Sequence, residues 1–425
     1  MKRFGALVCS AAVFIAGCAS SGGPRMISYE EASEFENSLR AREKAPISLD
    51  RVFTQPVNKT EPCKLPSSPD QLARDNFRAY WDGDCKNGFA YGLGRDIAIS
   101  DTHHYEEITI HDGTGDNWSQ PRVFYDFVNN FVRYAVGGEE FPASTQIQEN
   151  YSNSYNGFTA SQAISVTDEN GNVSVLQTSP FNTQKYYLSS NVEGAYLIRF
   201  SDNSAAPVVD QNSAVFGVEI FDPRNNVRGG VGIARYGNGA VQHFKMVNGE
   251  PGERVVLPAK YVNHIESVYQ STKNAVAGAI SRLQSAQQIE REYLFKVCSG
   301  KGGITGLDQD SYLKVCTWRD QFKEPYAAAS ERFQQQLENM RVRAETAEQQ
   351  RRAREQIALQ RQMIQQQKNQ QAWNEINRAS EQLRQSSQQM LQSIISSQGP
   401  QVQPLSLPSR NVAVCHTIGS IVTCQ

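Results

Sequence analysis

The stretch Ala163-Ile164-Ser165-Val166-Thr167-Asp168-Glu169-Asn170-Gly171-Asn172-Val173-Ser174-Val175-Leu176 places β-rich, alternating segments on either side of an Asn-Gly pair. Alternation with period two gives a strand one apolar face. Asn-Gly supplies the positive φ that a tight hairpin needs. The stretch therefore predicts a β-hairpin, and the same texture extends in both directions. Further strands are predicted at residues 97–100, 107–110, 123–136, 186–188, 196–200, 215–221 and 231–235. Turn residues recur between them, as in an antiparallel sandwich or a meander. Residues 80–257 form this β-domain, with 21 acidic against 11 basic side chains, the balance of a solvated acidic surface.

After Pro258 the period changes. Val262, Ile265, Tyr269, Thr272, Val276, Ala279, Leu283 and Ala286 alternate by three and four, which predicts a helix to about Cys298. Residues 299–306 are a glycine-rich bend, and a second helix begins near Asp308 or Asp310. Pro325 is placed to kink or restart it. Phe322, Tyr326, Ala329, Phe333, Leu337, Met340, Ala344 and Ala347 continue a stripe. It thins to Ile357 and Ile364, then resumes at Trp373, Ile376, Ser380, Leu383, Ser387, Met390 and Ile394. Gln is a good, neutral helix former, and residues 334–398 contain 19 of them. At ~1.5 Å per residue, the uninterrupted run 327–398 makes a rod of roughly 110 Å. A lone helix of that length needs a partner for its stripe, either the first helix or another chain. The fold class is thus α+β: an antiparallel β-domain, sandwich or meander, followed by a long helical hairpin or coiled coil over residues 258–398.

The N-terminus carries an address. Lys2 and Arg3 precede an apolar run at residues 6–17, the layout of a signal peptide over residues 1–17. Ile15-Ala16-Gly17-Cys18 then resembles the lipobox of bacterial lipoproteins. The resemblance implies lipidation of Cys18, and two or three acyl chains anchor stably where one is marginal. Ala19, in place of Asp, implies outer-membrane sorting in a Gram-negative host, on the periplasmic side with surface exposure left open. Residues 18–79 read as a tether with a short helix, capped by Ser28 with Glu31 reaching back to close a capping box. Residues 399–425 read as a linker and a small hairpin. Trp81-Asp82-Gly83-Asp84-Cys85-Lys86-Asn87-Gly88-Phe89-Ala90-Tyr91-Gly92-Leu93-Gly94 is similar to one MORN repeat, with Cys85 in place of the second aromatic. That resemblance implies binding or scaffolding at membranes.

Eight cysteines fit an export context. Cys9 leaves with the signal segment and Cys18 takes lipid. The other six fall in local pairs, Cys63 with Cys85, Cys298 with Cys316 and Cys415 with Cys424. Proximity favours that set among the 15 pairings that six cysteines allow.

Catalytic patterns are thin. His103, His104 and His111 with Glu106 and Glu107 form the one His cluster, but strand alternation splits it between two faces, so no metal site is expected. The glycine-rich segment 299–306 has Gly302 where a phosphate loop needs Ser or Thr. No Gly-x-Ser-x-Gly elbow occurs. No cofactor is expected. The net charge of −2 does not suggest nucleic acid as a partner. The expected partners are the membrane through the lipid anchor, envelope proteins through the coiled coil, a second copy of the chain, and peptidoglycan or another glycan. The leading reading is a non-enzymatic scaffold or bridge of an envelope assembly. A glycan-binding lipoprotein that oligomerises through its helices comes second, and an envelope hydrolase third.

Overall fold

The computed structural model describes residues 23–41, 52–115, 120–137, 143–154, 157–191, 197–207, 211–222, 225–300, 302–397, 415–418 and 421–424. The signal segment and Cys18 lie outside these residues. The chain forms two units, Met1–Ala347 and Glu348–Gln425.

The first unit is α+β; its main sheet is one meander, not a sandwich, and a separate two-stranded sheet pairs Val52–Thr54 with Leu65–Ser67. Strands Arg78–Trp81 and Asp84–Lys86 both pair with Phe89–Ile99. From there the strands follow chain order to Glu250–Val256, each antiparallel to the next. Arg25–Met26 adds in parallel beside Glu250–Val256, completing 16 strands. Register explains which face is buried. Residues directly opposite in a ladder share a face. One such row runs through Arg95, Ile108, Val123, Tyr134, Ile147, Ile164, Leu176, Tyr187, Phe200, Val218, Ile233, His243 and Val255. Most of its members belong to the two large core clusters.

The hairpin at residues 163–176 forms between Gly157–Thr167 and Asn172–Thr178. Only Gly171 takes a positive φ there, at 78°. The Asp168 carboxylate accepts the N–H groups of Asn170 and Asn172, both at 2.8 Å. The loop is therefore a side-chain-capped turn with one left-handed residue. Two-residue turns with both φ values positive occur instead at Asn87-Gly88, between Asp84–Lys86 and Phe89–Ile99, and at Asn248-Gly249, between Val241–Val247 and Glu250–Val256.

Seven helices are described: α1 (Tyr29–Arg40), α2 (Pro69–Leu72), α3 (Ala259–Ala277), α4 (Ala279–Arg282), α5 (Gln284–Cys298), α6 (Gln309–Thr317) and α7 (Asp320–Ser397). The stripe of α3–α5 is buried at Tyr261, Ile265, Tyr269, Thr272, Val276, Ala279, Leu283, Ala286, Ile289, Tyr293 and Val297. It starts one residue earlier than its sequence suggests, at Tyr261, with Val262 only partly buried. Its main partner is the sheet, and α6 packs against its end at α5. The reason is physical: the apolar row of the meander needs cover, and α3–α5 supply a stripe about as long. Residues Phe322 and Ala329 of α7 join the same core. The helix–helix coiled coil expected from periodicity is thus not what buries the first stripe.

Ser28 caps α1, its hydroxyl accepting the Glu31 N–H at 3.0 Å. The Glu31 carboxylate does not reach back to close the box. It pairs with Arg25 at 2.8 Å and with Lys245 of strand Val241–Val247, clamping α1 to the sheet. Disulfides join Cys63 to Cys85 and Cys298 to Cys316. The second ties the end of α5 to α6. Strands Cys415–Ile418 and Ile421–Cys424 form a hairpin whose register sets Cys415 opposite Cys424. The side chains of that pair lie outside the described residues.

Trp81 is fully buried, and its indole N–H donates to the Asp84 carbonyl at 2.7 Å. Gly83 and Gly94 line its ring so closely that side chains there would collide with it. A methyl on Gly94 would stand 2.6 Å from the ring and 2.9 Å from the Gly83 backbone nitrogen. We expect Gly94→Ala to cost about 1–3 kcal/mol, read as a lower Tm in thermal denaturation. Gly23→Ala, whose methyl meets nothing within 4 Å, should leave Tm unchanged.

Candidate functional site

Two polar clusters lie inside the core between sheet and helices. In the first, the fully buried Arg95 guanidinium donates to Glu106 Oε2 and to the Tyr312 carbonyl, both at 2.9 Å. The guanidinium carbon stands 4.8 Å from the centre of the Tyr312 ring, a cation–π contact. His104 Nε2 lies 3.0 Å from Glu106 Oε1. Tyr293 of α5 donates to Asp82, whose other carboxylate oxygen accepts the Arg95 N–H. In the second, the Glu290 carboxylate of α5 accepts the hydroxyls of Tyr125 and Tyr134 and, at 3.3 Å, an Arg319 N–H. Burial first, and the Glu290 charge second, push both tyrosine hydroxyls well above their usual range. They stay protonated and act as fixed donors. Both clusters pair buried charge and join helix to strand, and Arg95 keeps Nε and Nη2 buried with no hydrogen-bond partner.

The sequence singled out His104 and Glu106 as members of the His cluster, but not Arg95, Tyr293, Tyr312, Glu290, Tyr125, Tyr134 or Arg319. The signal was present for Glu290, which sits between Ile289 and Tyr293 on the buried side of α5. Glu149 is a similar case, a charge between Ile147 and Tyr151 on the core-facing parity of its strand.

The His cluster does not assemble. His104 and Glu106 meet, as the alternation allows. His111 is buried against Trp81, with ring centres 4.9 Å apart and edge to face. His103 contacts Thr102 and Tyr105. Among the described residues, no group of three or more His, Cys, Asp or Glu side chains could hold a metal ion. Asp96 faces Glu107 across the ladder, and burial, then the Glu107 charge, push its carboxyl up.

A cleft of about 250 Å³ opens between strands Ser144–Ser154, Gly157–Thr167 and Asn172–Thr178 and the start of α7. Glu149, Gln162 and Thr178 stand directly opposite one another across the ladders. The Tyr151 hydroxyl donates to Glu149 Oε2 at 3.0 Å. Tyr326 of α7 forms a wall and is 40% exposed. Sequence alone could not find this cleft, because its residues come together only through strand register and the seating of α7.

The second unit offers a different surface. Every residue from 348 to 393 is exposed. The exposed set includes Met363, Trp373, Ile376, Leu383, Met390 and Leu391. Comparison with family models, with curated proteins and with solved structures finds no match.

His111 gives a test of the core around Trp81, on the face of the sheet opposite the first cluster. Burial, only partly offset by the Asp112 charge, lowers its pKa from 6.5 to about 4. The folded pKa lies below the unfolded one, so the unfolded chain takes up the proton first. Stability is complete above the unfolded value and falls as pH drops toward about 4, by up to about 3 kcal/mol. We expect His111→Phe to flatten the dependence of Tm on pH across that window, as measured by calorimetry in a pH series.

Proposed function

We propose that the protein is a lipid-anchored, non-enzymatic scaffold of the bacterial cell envelope that holds its partners through α7. One observation carries the reading: Trp373, Leu383 and Met390 of α7 are 65%, 70% and 67% exposed. Burying such side chains stabilises by ~25 cal/mol per Å² of apolar surface. A helix with this stripe therefore gains most from a partner that covers it. Trp373, Ser380, Ser387 and Ile394 alternate with Ile376, Leu383 and Met390 at the spacing of a coiled-coil seam. Near the start of the unit the charges pair along the helix itself, Arg352 with Glu348 and Arg351 with Glu355. The apolar seam further along is the feature we assign to recognition. The lipid anchor rests on Ile15-Ala16-Gly17-Cys18, and two disulfides suit an oxidising compartment such as the periplasm. The outer membrane is the proposed address, and the partners are envelope proteins with a matching helical seam.

The reading is tested with a photo-cross-linking residue placed in the native host. Substituted at Leu383, on the seam, it should give discrete adducts with envelope proteins. Substituted at Arg378, on the opposite side, it should give few. In the seam series, Ile376→Asp should abolish the Leu383 adducts while leaving the Tm of the first unit unchanged. Equal labelling from both sides, or adducts confined to this chain, would overturn the scaffold reading.

A further inference from the structure

We propose that the cleft beside the start of α7 binds one ring of a neutral saccharide. The inference stands on the first unit alone and does not depend on what covers α7. Its frame is rigid. Strand register fixes Glu149 opposite Gln162 and Gln162 opposite Thr178. With strands about 4.8 Å apart, the three polar side chains form a row roughly 10 Å long.

The row is chemically mixed. The Glu149 carboxylate accepts from Tyr151 at 3.0 Å and from Gln162 at 3.5 Å. A carboxylate has about four acceptor sites, so capacity is left for ligand hydroxyls. Gln162 adds an amide carbonyl, and Thr178 and Ser179 add hydroxyls that both donate and accept. Ser179 Oγ accepts the Phe181 N–H at 3.2 Å, which leaves its proton free to donate. Sugar hydroxyls, donors and acceptors at once, match such a row better than a ligand of one polarity.

The wall supplies the other half of the recognition. Tyr326 packs edge-on against Phe181, with ring centres 5.1 Å apart, so its plane is held. A fixed, half-exposed aromatic face suits the C–H face of a pyranose. Electrostatics select against charge. Arg319 interacts with both Glu149 and Tyr151. Glu149, the one charged residue of the lining, repels an anion, and its charge is already met by the Tyr151 and Gln162 donors, which leaves little to draw a cation. The volume of about 250 Å³ lies below the roughly 300–1,000 Å³ of drug-sized sites, which fits one ring with its neighbours outside. The lining contributes one carboxylate, whereas paired-acid hydrolysis needs two. The proposal is therefore of binding.

The test uses the full chain and saturation-transfer NMR. The probes are glucose, N-acetylglucosamine, maltose and N,N′-diacetylchitobiose, with putrescine and citrate as charged controls. At least one saccharide should bind in the millimolar range or tighter, and neither control should compete. Tyr326→Ala and Glu149→Gln should each weaken it about tenfold, a loss of about 1.4 kcal/mol. Tyr326→Ala also gives up ring contacts with Phe158 and Phe181, so the isosteric Glu149→Gln, which should leave Tm unchanged, guards against a packing effect of the first variant. Absence of saccharide binding, binding unmoved by both substitutions, or preference for a charged control would each overturn the proposal.

Discussion

The structure depends on one constraint: a long antiparallel meander has a continuous apolar row on one face, and that row must be removed from water. The row from Ile108 to Val255 crosses nearly the whole sheet. α3–α5 answer it with a stripe from Tyr261 to Val297. Each fully buried large side chain stabilises by roughly 1.5–3 kcal/mol, an upper bound because unfolded chains already bury part of their surface. Helices cover one face; at the Arg78–Trp81 end the other face is buried too, where Ala79, Trp81 and Ala90 pack with Cys63 and Leu65.

Apolar contact alone would let a helix slide along a sheet. The two buried polar clusters forbid this. A shift of α5 by one turn would strand Glu290 away from Tyr125, Tyr134 and Arg319, and would part Tyr293 from Asp82. An unpaired buried charge costs about 3–5 kcal/mol. A buried ion pair adds little net stability, so its consequence here is register. The Cys298–Cys316 disulfide acts in the same sense by closing α5 onto α6.

Function follows from what this arrangement leaves uncovered. In the first unit, the polar row ending at Thr178 opens into a cleft beside Tyr326. In the second, α7 keeps an apolar seam in water. The two surfaces suit different recognition chemistries, hydroxyl-rich for the cleft and helix-on-helix for the seam.

The sequence by itself determined the local periods. Alternation around Asn170-Gly171 specified strands, the three-four spacing from Ile265 to Ala286 specified a helical stripe, and Ser28 specified the start of α1. Each rests on contacts within a few residues, which is why each was legible. The tertiary structure decided what those stripes face. Periodicity says that a stripe exists but not whether a helix or a sheet covers it, so the partner of α3–α5 emerged only with the meander. It also decided the roles of Glu149, Glu290 and Arg95. A charge on a buried parity is visible in sequence, but its partners, such as Arg319 for Glu290, stand 29 residues away. Their meeting depends on strand register and helix seating, which no local pattern encodes.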